Sequence, residues 1–501
     1  MSVVEDFRLF KEEYPDLAIG KSKFAECRPS EVLLSSSMPR NVCNCQYHSN
    51  MFLILECLHN QLPHLFPLYC EQFIQDCVCN LNNKQCMSSN CELCKTKFEQ
   101  VFINEIPMNM TNIPTTWHFW EKNDNDQLEK KTKSGTPNDA VSVLKSILSK
   151  FKFHFYIKRN QSRAYNDAKE NACKEESETA MIQMDFAEKC IYQDEVASAH
   201  WKSSSVTLYT VMLWFRDHSV PMVIASDNSN HDKTTVVPYS FTVFKHVNEL
   251  FGEQVKSITV WTDGPSSQFK NKFMFSYIGQ NLPQLFPYYR IDWNYSATSH
   301  GKGAVDGLGG TIKRMATRAV TSRQAIIKGA ETLVEAVSSK TRITLLFLSQ
   351  EKISLLLGIT GAEKDWENVL GIPGTMHVHH VEPHKDGIIT KVITNDDSFT
   401  MHSLTNHVTQ PHKIDTAPAR YEIGDYVIVK YDDTFFPGEI LDVLEGCAKV
   451  KVMLPSGPRY WKWPDREDSL MYQWAKVIKK IGPPVGVSHR GMYEVNEMNF
   501  V

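Results

Sequence analysis

The feature that most constrains the fold is an alternation of strand-like and helix-like patterns between about residues 176 and 370. Alternating apolar residues, or short β-rich runs, predict strands around Ile182–Phe186, Val206–Phe215, Met222–Ala225, Ile258–Thr262 and Tyr289–Trp293. Helical stretches at about 235–251 and 268–286 separate the later strands. Three strands, a helix, a strand, a helix, a strand and a final helix are typical of a layered α/β domain.

Three aspartates lie at or near the ends of these strands. Asp185 lies in MIQMDFAEKC, Asp263 in ITVWTDGPSSQFKN and Asp306 in SHGKGAVDGLGGTIKR. Asp185 alternates with apolar neighbours in its strand. Asp263 is followed directly by Gly264 and Pro265, which end its strand. Asp306 lies in a glycine-rich turn before a helix. Taken singly, each aspartate is also an ordinary turn residue. Taken together, they form a candidate catalytic set.

Three convergent carboxylates need a positive charge between them, because like charges held close together raise one another's pKa. Mg²⁺ and Mn²⁺ prefer such hard oxygen ligands, and two such ions about 3.5 to 4 Å apart activate the attacking oxygen and stabilise the leaving oxygen of a phosphodiester. The reaction class predicted for Asp185, Asp263 and Asp306 is therefore phosphoryl transfer on nucleic acid with Mg²⁺ or Mn²⁺.

The segments DFAEKC, Hx2SSSVTLYT, SDNSNHDK, TDGPSSQFKNK and SHGKGAVDGLGGTIKR resemble transposon-derived proteins of animal genomes that carry a DDE/DDD-type catalytic domain. The resemblance is best from about 176 to 330. It implies an RNase H-like mixed sheet with flanking helices over residues 176–370. It also implies that Asp185 bridges two metal ions while Asp263 and Asp306 each complete one shell, and that His300, Lys302 and Lys313 lie near substrate.

A basic patch follows the last aspartate. Between Lys302 and Lys328 there are six Lys or Arg residues and Asp306 is the only acid, although the whole chain has a net charge of -4. Lys313 shares a helical face with Asp306, and Arg314 and Arg318 form the adjacent row, which favours contact with DNA phosphates. A solvated helix face explains the same residues. The glycines do not fit a nucleotide-binding loop, because neither GxxxxGK[ST] nor GxGxxG is satisfied.

Cysteines are concentrated near the N-terminus, where ten of the 13 precede position 95. Residues 1–100 are predicted to form a zinc-binding region, because thiolates and imidazoles are the usual ligands of tetrahedral structural zinc. The eight candidate ligands, enough for two sites, are Cys43, Cys45, His48, Cys77, Cys79, Cys86, Cys91 and Cys94. Buried free cysteines are the alternative, and this is the prediction for Cys57 and Cys70.

The remaining segments carry weaker signals. Met51–Leu58 is a predicted core helix, and residues 101–175 are a helical connecting region with an exposed loop at Glu121–Thr136 and then a long helix. Residues 371–418 read as a linker whose histidines, His377, His379, His380 and His384, are exposed. Residues 419–495 predict a small SH3-like or Tudor-like β-barrel.

Aromatic residues of that predicted barrel are open to two interpretations. They are either its core or a cage for methylated Lys or Arg, as in chromatin-binding modules. General docking to nucleic acid or protein is a further possibility for this domain. The residues are Tyr431, Phe435, Phe436, Tyr460, Trp461 and Trp463.

The N-terminus is charged, and no apolar run of 18 residues occurs, so we expect an intracellular protein without membrane partners. With the resemblance, the prediction is a nuclear, transposase-like protein that cleaves and joins DNA. DNA is its predicted partner, chromatin is a further candidate partner through the C-terminal barrel, and homo-oligomerisation is left open. The alternatives are a catalytically inactive DNA- or chromatin-binding derivative and a plain RNase H-like nuclease.

Overall fold

The structure is a computed structural model that describes most of the chain. The described residues are 7, 10–11, 13–27, 45–107, 113–123, 127–191, 205–298, 300–301, 303–366, 369–404, 421–431, 434–444, 447–456, 460–464, 469–487 and 491–495, without the side chains of 188–191, 434 and 475. The chain divides into two compact units, Met1–Ile157 and Lys158–Val501. No helix in the described ranges is both long enough and apolar enough to cross a membrane.

The first unit combines short helices with a β-hairpin. Its helices are α1 (Lys21–Glu26), α2 (Gln46–Gln61), α3 (Cys70–Cys77), α4 (Lys84–Met87) and α5 (Glu92–Lys95), followed by a π-helical turn at Glu99–Ile103. Strands β1 (Thr115–Lys122) and β2 (Leu128–Gly135) pair antiparallel, and α6 (Pro137–Ala172) continues past the end of the unit. The predicted core helix is confirmed, because α2 buries Met51, Ile54, Leu55 and Leu58.

The exposed loop predicted at Glu121–Thr136 is wrong, because β1 and β2 occupy this segment. Glu121 makes cross-strand ion pairs with Lys131 at 3.3 Å and Lys133 at 2.6 Å. The Lys133 ammonium also lies 5.5 Å from the centroid of the Phe119 ring. Such polar cross-strand pairs stabilise a hairpin without the apolar alternation by which a strand is recognised.

The second unit is built on a nine-stranded sheet flanked by helices. Its first part contains β3 (Thr179–Ile191), β4 (Ser205–Phe215), β5 (His218–Ser226), α7 (Lys233–Phe251), β6 (Ser257–Thr262), α8 (Lys272–Ser276), α9 (Leu282–Leu285), β7 (Arg290–Tyr295), α10 (Ala304–Thr321), α11 (Ala330–Ser338), β8 (Thr344–Phe347), α12 (Gln350–Thr360) and α13 (Ala362–Trp366). The predicted strands, helices and their order are confirmed. The sheet is mixed, with β6 parallel to β3 and β7, and β4 antiparallel to β3 and β5.

Both faces of this sheet are covered. Ile182 and Tyr209 pack with Val236 and Phe244 of α7 in one apolar core. On the other face, residues of β4 and β5 pack with Ile312 of α10 and Leu333 of α11. Strands buried on both faces read as continuous apolar runs, which is why β4 was recognisable in the sequence.

Three further strands occupy the segment predicted as a linker. They are β9 (His380–His384), β10 (Gly387–Lys391) and β11 (Thr400–His402), and the complete sheet order is β11-β10-β9-β7-β6-β3-β4-β5-β8. The prediction of a linker is therefore wrong for residues 380–402, which belong to the sheet. The short strands cover β7, whose backbone would otherwise form an open edge.

The predicted exposure of the histidines in this segment is wrong for two of them. His379 and His380 are 2% and 6% exposed, and the His380 Nδ1 lies 2.8 Å from the Asn294 side-chain oxygen on β7. His377 is exposed and His384 is half-buried. The strand pairing between β9 and β7 draws the two buried histidines into the sheet.

The C-terminal segment is an antiparallel β region, as predicted. Its strands are β12 (Tyr426–Tyr431), β13 (Thr434–Leu444), β14 (Cys447–Val452), β15 (Leu454–Pro455), β16 (Tyr460–Lys462), β17 (Ser469–Gln473), β18 (Val477–Ile481), β19 (Val485–Gly486) and β20 (Met492–Glu494). Five of them form a sheet in the order β17-β14-β13-β12-β18, and four short ones form a second sheet in the order β15-β16-β20-β19.

Candidate functional site

The sheet places two of the three predicted catalytic aspartates side by side. Asp185 lies within β3, and Asp263 directly follows β6, the parallel neighbour of β3. The register pairs Gln183 with Trp261, so continuation by two residues brings Asp185 level with Asp263. Asp306 lies in the first turn of α10, whose later turns pack on this sheet.

The three carboxyl groups are close enough to interact electrostatically. Burial, together with the charges of Asp263 and Asp306, raises the pKa of Asp185 to about 8, and a hydrogen bond from the Phe186 N–H opposes this shift. Burial also raises the pKa of Asp263 to about 6, with a contribution from Asp306 and an opposing one from Lys270. One oxygen of Asp263, Oδ1, is buried and has no hydrogen-bond partner among the residues placed by the structure.

Asp306 differs from the other two because its side chain is exposed, whereas Asp185 and Asp263 are half-buried. Its Oδ2 accepts a hydrogen bond from the Gly303 N–H at 2.7 Å, as in a helix capping box. Within the described ranges, the three aspartates do not form a group whose donor atoms all lie within 4.8 Å of one another. The arrangement is therefore a carboxylate pair with a third carboxylate nearby.

Glycines allow the turn before α10 to approach the strands closely. A β-carbon at Gly301 would lie 2.7 Å from the β-carbon of Asp263. A β-carbon at Gly303 would lie 2.5 Å from the Gln183 amide nitrogen. The glycine-rich sequence before Asp306 is thus explained by close packing against β3 and the end of β6.

A buried lysine next to Asp263 was not identified from the sequence. Lys270 is 2% exposed, its Nζ donates to the Met376 carbonyl at 3.3 Å, and it lies 5.1 Å from the centroid of the Tyr295 ring. Burial lowers the pKa of Lys270 to about 7, whereas the charge of Asp263 raises it. The one sequence signal for Lys270 is its position in TDGPSSQFKNK, seven residues after Asp263.

The predicted nucleic-acid-binding residues are partly accessible. Arg314 and Arg318 are exposed on α10, and Lys313 is half-buried. His300 helps to line a polar cavity of about 280 Å³, together with Tyr165 and Gln183. Lys302 lies outside the described residues.

Four of the predicted zinc ligands converge in the first unit. The sulfur atoms of Cys79, Cys86, Cys91 and Cys94 all lie within 4.8 Å of one another. The Cys79 N–H donates to the Cys94 sulfur at 3.2 Å, and the sulfurs of these two residues are 3.4 Å apart. Hydrogen bonds from Cys94 lower the pKa of the Cys91 thiol to about 7. This set of donors, which we call the four-cysteine cluster, fits a metal ion that binds thiolate sulfur.

The other cysteines of the first unit do not join this cluster. Cys77 is buried at the end of α3, and burial raises its pKa to about 12. Cys57 and Cys70, predicted to be core residues, are only half-buried. Cys45 and His48 lie at the start of α2 with Sγ and Nδ1 3.0 Å apart, while Cys43 is outside the described residues.

Aromatic residues of the C-terminal β region are divided between two cores. Tyr431 and Phe436 pack against one core, whereas Phe435, Trp461 and Trp463 pack against the other. The Tyr431 hydroxyl also contacts the Gly374 N–H. This distribution supports the interpretation of these five residues as core, while Tyr460 is exposed.

Comparison with known proteins yields one match. A family model described as a domain of unknown function, DUF8701, matches residues 161–394. No curated protein and no solved structure matches the chain. The matched range contains all three aspartates and extends through β10, so it includes strands of the segment first read as a linker.

Proposed function

We propose that residues 176–370, within the second unit, form an RNase H-like domain that cleaves DNA phosphodiesters and transfers DNA strands in the manner of a transposase. The observation that carries this proposal is the carboxylate pair. Asp185 lies within β3 and Asp263 directly follows the parallel strand β6, so extension of the strand register brings them level, and each has a raised pKa. Paired carboxylates at one end of such strands suit a divalent cation that binds the phosphate under attack.

The order of β3 to β7, the first five strands of the nine-stranded sheet along the chain, supports this assignment. They lie as β7-β6-β3-β4-β5, with β4 antiparallel to both its neighbours and helices after β5, β6 and β7. The aspartates lie on the first strand, after the fourth strand and in the helix after the fifth. This is the placement that the resemblance to DDE/DDD proteins implied.

The carboxylates also suit Mg²⁺ or Mn²⁺. Asp185, Asp263 and Asp306 would hold the ion, which would activate the attacking oxygen and stabilise the leaving oxygen. The buried Oδ1 of Asp263, without a hydrogen-bond partner in the described structure, is the donor that most needs a cation. Lys270 lies beside that carboxylate and supplies a positive charge there when it is protonated.

DNA is the proposed partner, with the basic row of α10 as its contact. Arg314 and Arg318 are exposed on the helix that begins with Asp306, so they lie where phosphates flanking the reacting one would pass. Because the proposed substrate is DNA, we also propose a nuclear location. Homo-oligomerisation, if it occurs, would bring two such sites to paired DNA ends.

We further propose that the C-terminal β region is an SH3-like barrel. Its five-stranded sheet pairs the last strand, β18, with the first, β12, and a 3₁₀ turn at Trp474–Lys476 precedes β18. This pairing brings the two ends of the segment together, which supports a compact barrel-like module. Such a module would dock DNA or chromatin next to the catalytic domain.

The four-cysteine cluster is proposed to bind zinc in a structural role. Four thiolates form a closed tetrahedral set, which leaves no position for substrate. Zinc would therefore stabilise the short helices α4 and α5, which are each only four residues long.

Nicking and strand transfer on supercoiled plasmid, with Mg²⁺ or Mn²⁺, test the catalytic proposal. Metal-dependent products should appear with the wild-type protein and disappear with Asp185→Asn and with Asp263→Asn. Asp217→Asn is the matched control, because the Asp217 side chain is 87% exposed. Wild-type activity in Asp263→Asn would refute the metal assignment, and cleavage without end joining would indicate a plain nuclease.

A second candidate function is DNA binding without catalysis. It is favoured by the hydrogen bond that holds Asp306 on the Gly303 N–H and by the absence, within the described ranges, of a tight three-carboxylate group. In that case folded wild-type protein would bind DNA but give no products with either metal. Neutralising Asp185 or Asp263 would then leave DNA affinity unchanged or increase it, because repulsion of phosphate is removed.

A further inference from the structure

A second cluster of metal-binding side chains lies in the first unit, apart from the four-cysteine cluster. It consists of Cys45 and His48 at the start of α2 and of His154 on α6. The Cys45 sulfur lies 3.0 Å from His48 Nδ1 and 3.4 Å from His154 Nε2. All three donor atoms lie within 4.8 Å of one another.

These distances are close to those of a zinc site. Zinc bonds of about 2.3 Å to sulfur and about 2.0 to 2.1 Å to nitrogen place the two donor atoms roughly 3.6 Å apart in a tetrahedron. The 3.4 Å separation between Cys45 and His154 approaches this value, and the 3.0 Å separation between Cys45 and His48 is shorter. A modest opening of the pair admits the ion.

The surroundings hold both imidazoles in place. The ring of His154 stacks on Tyr47 with centroids 4.6 Å apart, and the ring of His48 meets Phe151 edge-on at 5.1 Å. Cys45 is 4% exposed and His154 is 8% exposed. Buried donors with fixed orientations are characteristic of structural sites rather than of sites that exchange metal with solvent.

From this geometry we infer that Cys45, His48 and His154 supply three ligands of a second structural zinc site. His154 comes from a segment more than a hundred residues after Cys45, so the ion cross-links the beginning of α2 to α6. The chain would then hold two zinc ions, one mainly bound by sulfur and one by mixed sulfur and nitrogen donors. This inference does not depend on the proposed catalytic activity.

Metal analysis of the full-length protein tests the site. Purified wild-type protein should contain two zinc ions per chain, and His154→Gln should contain one. His154→Cys should regain two, because a thiolate replaces the imidazole as a zinc ligand. His59→Gln is the matched control, since His59 is a half-buried histidine of α2 whose Nδ1 meets the Phe66 carbonyl at 2.7 Å, and it should retain two.

Cobalt substitution gives a second readout that does not rely on counting ions. Subtracting the Co²⁺ spectrum of His154→Gln from that of the wild type should give tetrahedral bands with weak sulfur charge transfer. The same subtraction for Cys91→Ser should give stronger sulfur charge transfer, because that site has four sulfur donors. The inference would be overturned if His154→Gln contained as much zinc as the wild type, or if it lost both ions and His154→Cys did not recover them.

Discussion

Gly301 lies against Asp263 so closely that a β-carbon at residue 301 would be 2.7 Å from the β-carbon of the aspartate. Real β-carbons do not approach so closely, so any side chain at this position must displace the strand end that carries Asp263. The position of the Asp263 carboxylate therefore depends on a glycine at residue 301. A change at one of them is a change in the position of the other.

We expect Gly301→Ala to lower metal-dependent DNA cleavage by about 100-fold, the cost typical of a displacement of about 1 Å at a reacting group. Gly310→Ala is the control, because its β-carbon would meet only an Arg314 nitrogen at 3.4 Å. Initial rates of plasmid nicking measure the effect. Equal rates for the two variants would show that the position of Asp263 does not control the reaction.

The raised carboxyl pKa values predict how stability depends on pH. Asp185 titrates at about 8, above its usual 3.8, so the folded protein retains a proton that the unfolded chain releases at lower pH. This contribution is complete below about pH 4 and is lost as the pH rises through about 8.

Asp185→Asn should remove that dependence. In the wild type, the raised pKa of Asp185 should make the free energy of unfolding fall by on the order of 3 kcal/mol between about pH 5 and pH 8, since one pKa unit corresponds to about 1.4 kcal/mol. Asp185→Asn should lack this part of the fall. Urea titrations without added Mg²⁺ or Mn²⁺ provide the measurement. Asp217→Asn should follow the wild type, and a similar response of both variants would contradict the burial of Asp185.

Lys270 predicts a pH dependence of opposite sign. Its pKa is lowered from 10.5 to about 7, so the unfolded chain binds a proton that the folded protein lacks, and stability rises with pH through that window. Lys270→Met should lack this rise, which is on the order of 3 kcal/mol between about pH 7 and pH 10. Urea titrations at both pH values test this prediction. Lys272→Met is the control, because Lys272 also donates a hydrogen bond to a backbone carbonyl, that of Val369.

The basic row of α10 should contribute to DNA affinity through phosphate contacts. Arg314→Ala and Arg318→Ala should each weaken binding to all DNA sequences and reduce the slope of log affinity against log salt by about 0.9. Fluorescence anisotropy at several salt concentrations measures both quantities. Lys245→Ala, on the exposed face of α7, should leave the slope unchanged, and a slope unaffected by the arginine variants would place the DNA elsewhere.

Zinc removal should destabilise the first unit. Cys91→Ser should lose one zinc ion and lower the midpoint of thermal unfolding of this unit by about 10 °C or more, because zinc binding contributes directly to folding. Cys57→Ser is the control, since Cys57 is half-buried and its sulfur contacts the Thr116 carbonyl rather than another cysteine. Metal analysis and calorimetry should separate the two variants, and equal zinc content would exclude the four-cysteine cluster as the binding site.

The sequence allowed the central strands and the placement of the aspartates to be predicted because both depend on local pattern. Met184 and Phe186 flank Asp185 in a strand, and Gly264 ends the strand after Asp263, so short-range rules were sufficient. The pairing of Cys91 and Cys94 was likewise visible as a short motif. In each case the residues that define the feature are neighbours in the chain.

Features that arise from distant segments were missed. Lys270 is buried by Tyr295 and the carbonyl of Met376, and nothing near it in the sequence signals that environment. His154 looks like an ordinary residue of an apolar helical pattern, because Cys45 lies far away in the sequence. The strands from His380 to His402 were missed because each has at most five residues and is held in place by pairing, β9 with β7 and then β10 and β11 in turn.

The position of those strands bears on how the chain is made. Asn294 of β7 pairs with His380, and Met222 of β5 pairs with Thr344, so both flanks of the carboxylate-bearing strands are closed by segments translated much later. Such long-range pairing is slow, since a long loop must close before any contact forms. During translation the half-built sheet will therefore have an unpaired β5 edge until β8 has emerged from the ribosome, and an unpaired β7 edge until β9 has emerged. In that interval both edges are templates for pairing with other unfolded chains, so aggregation during synthesis competes with completion of the sheet.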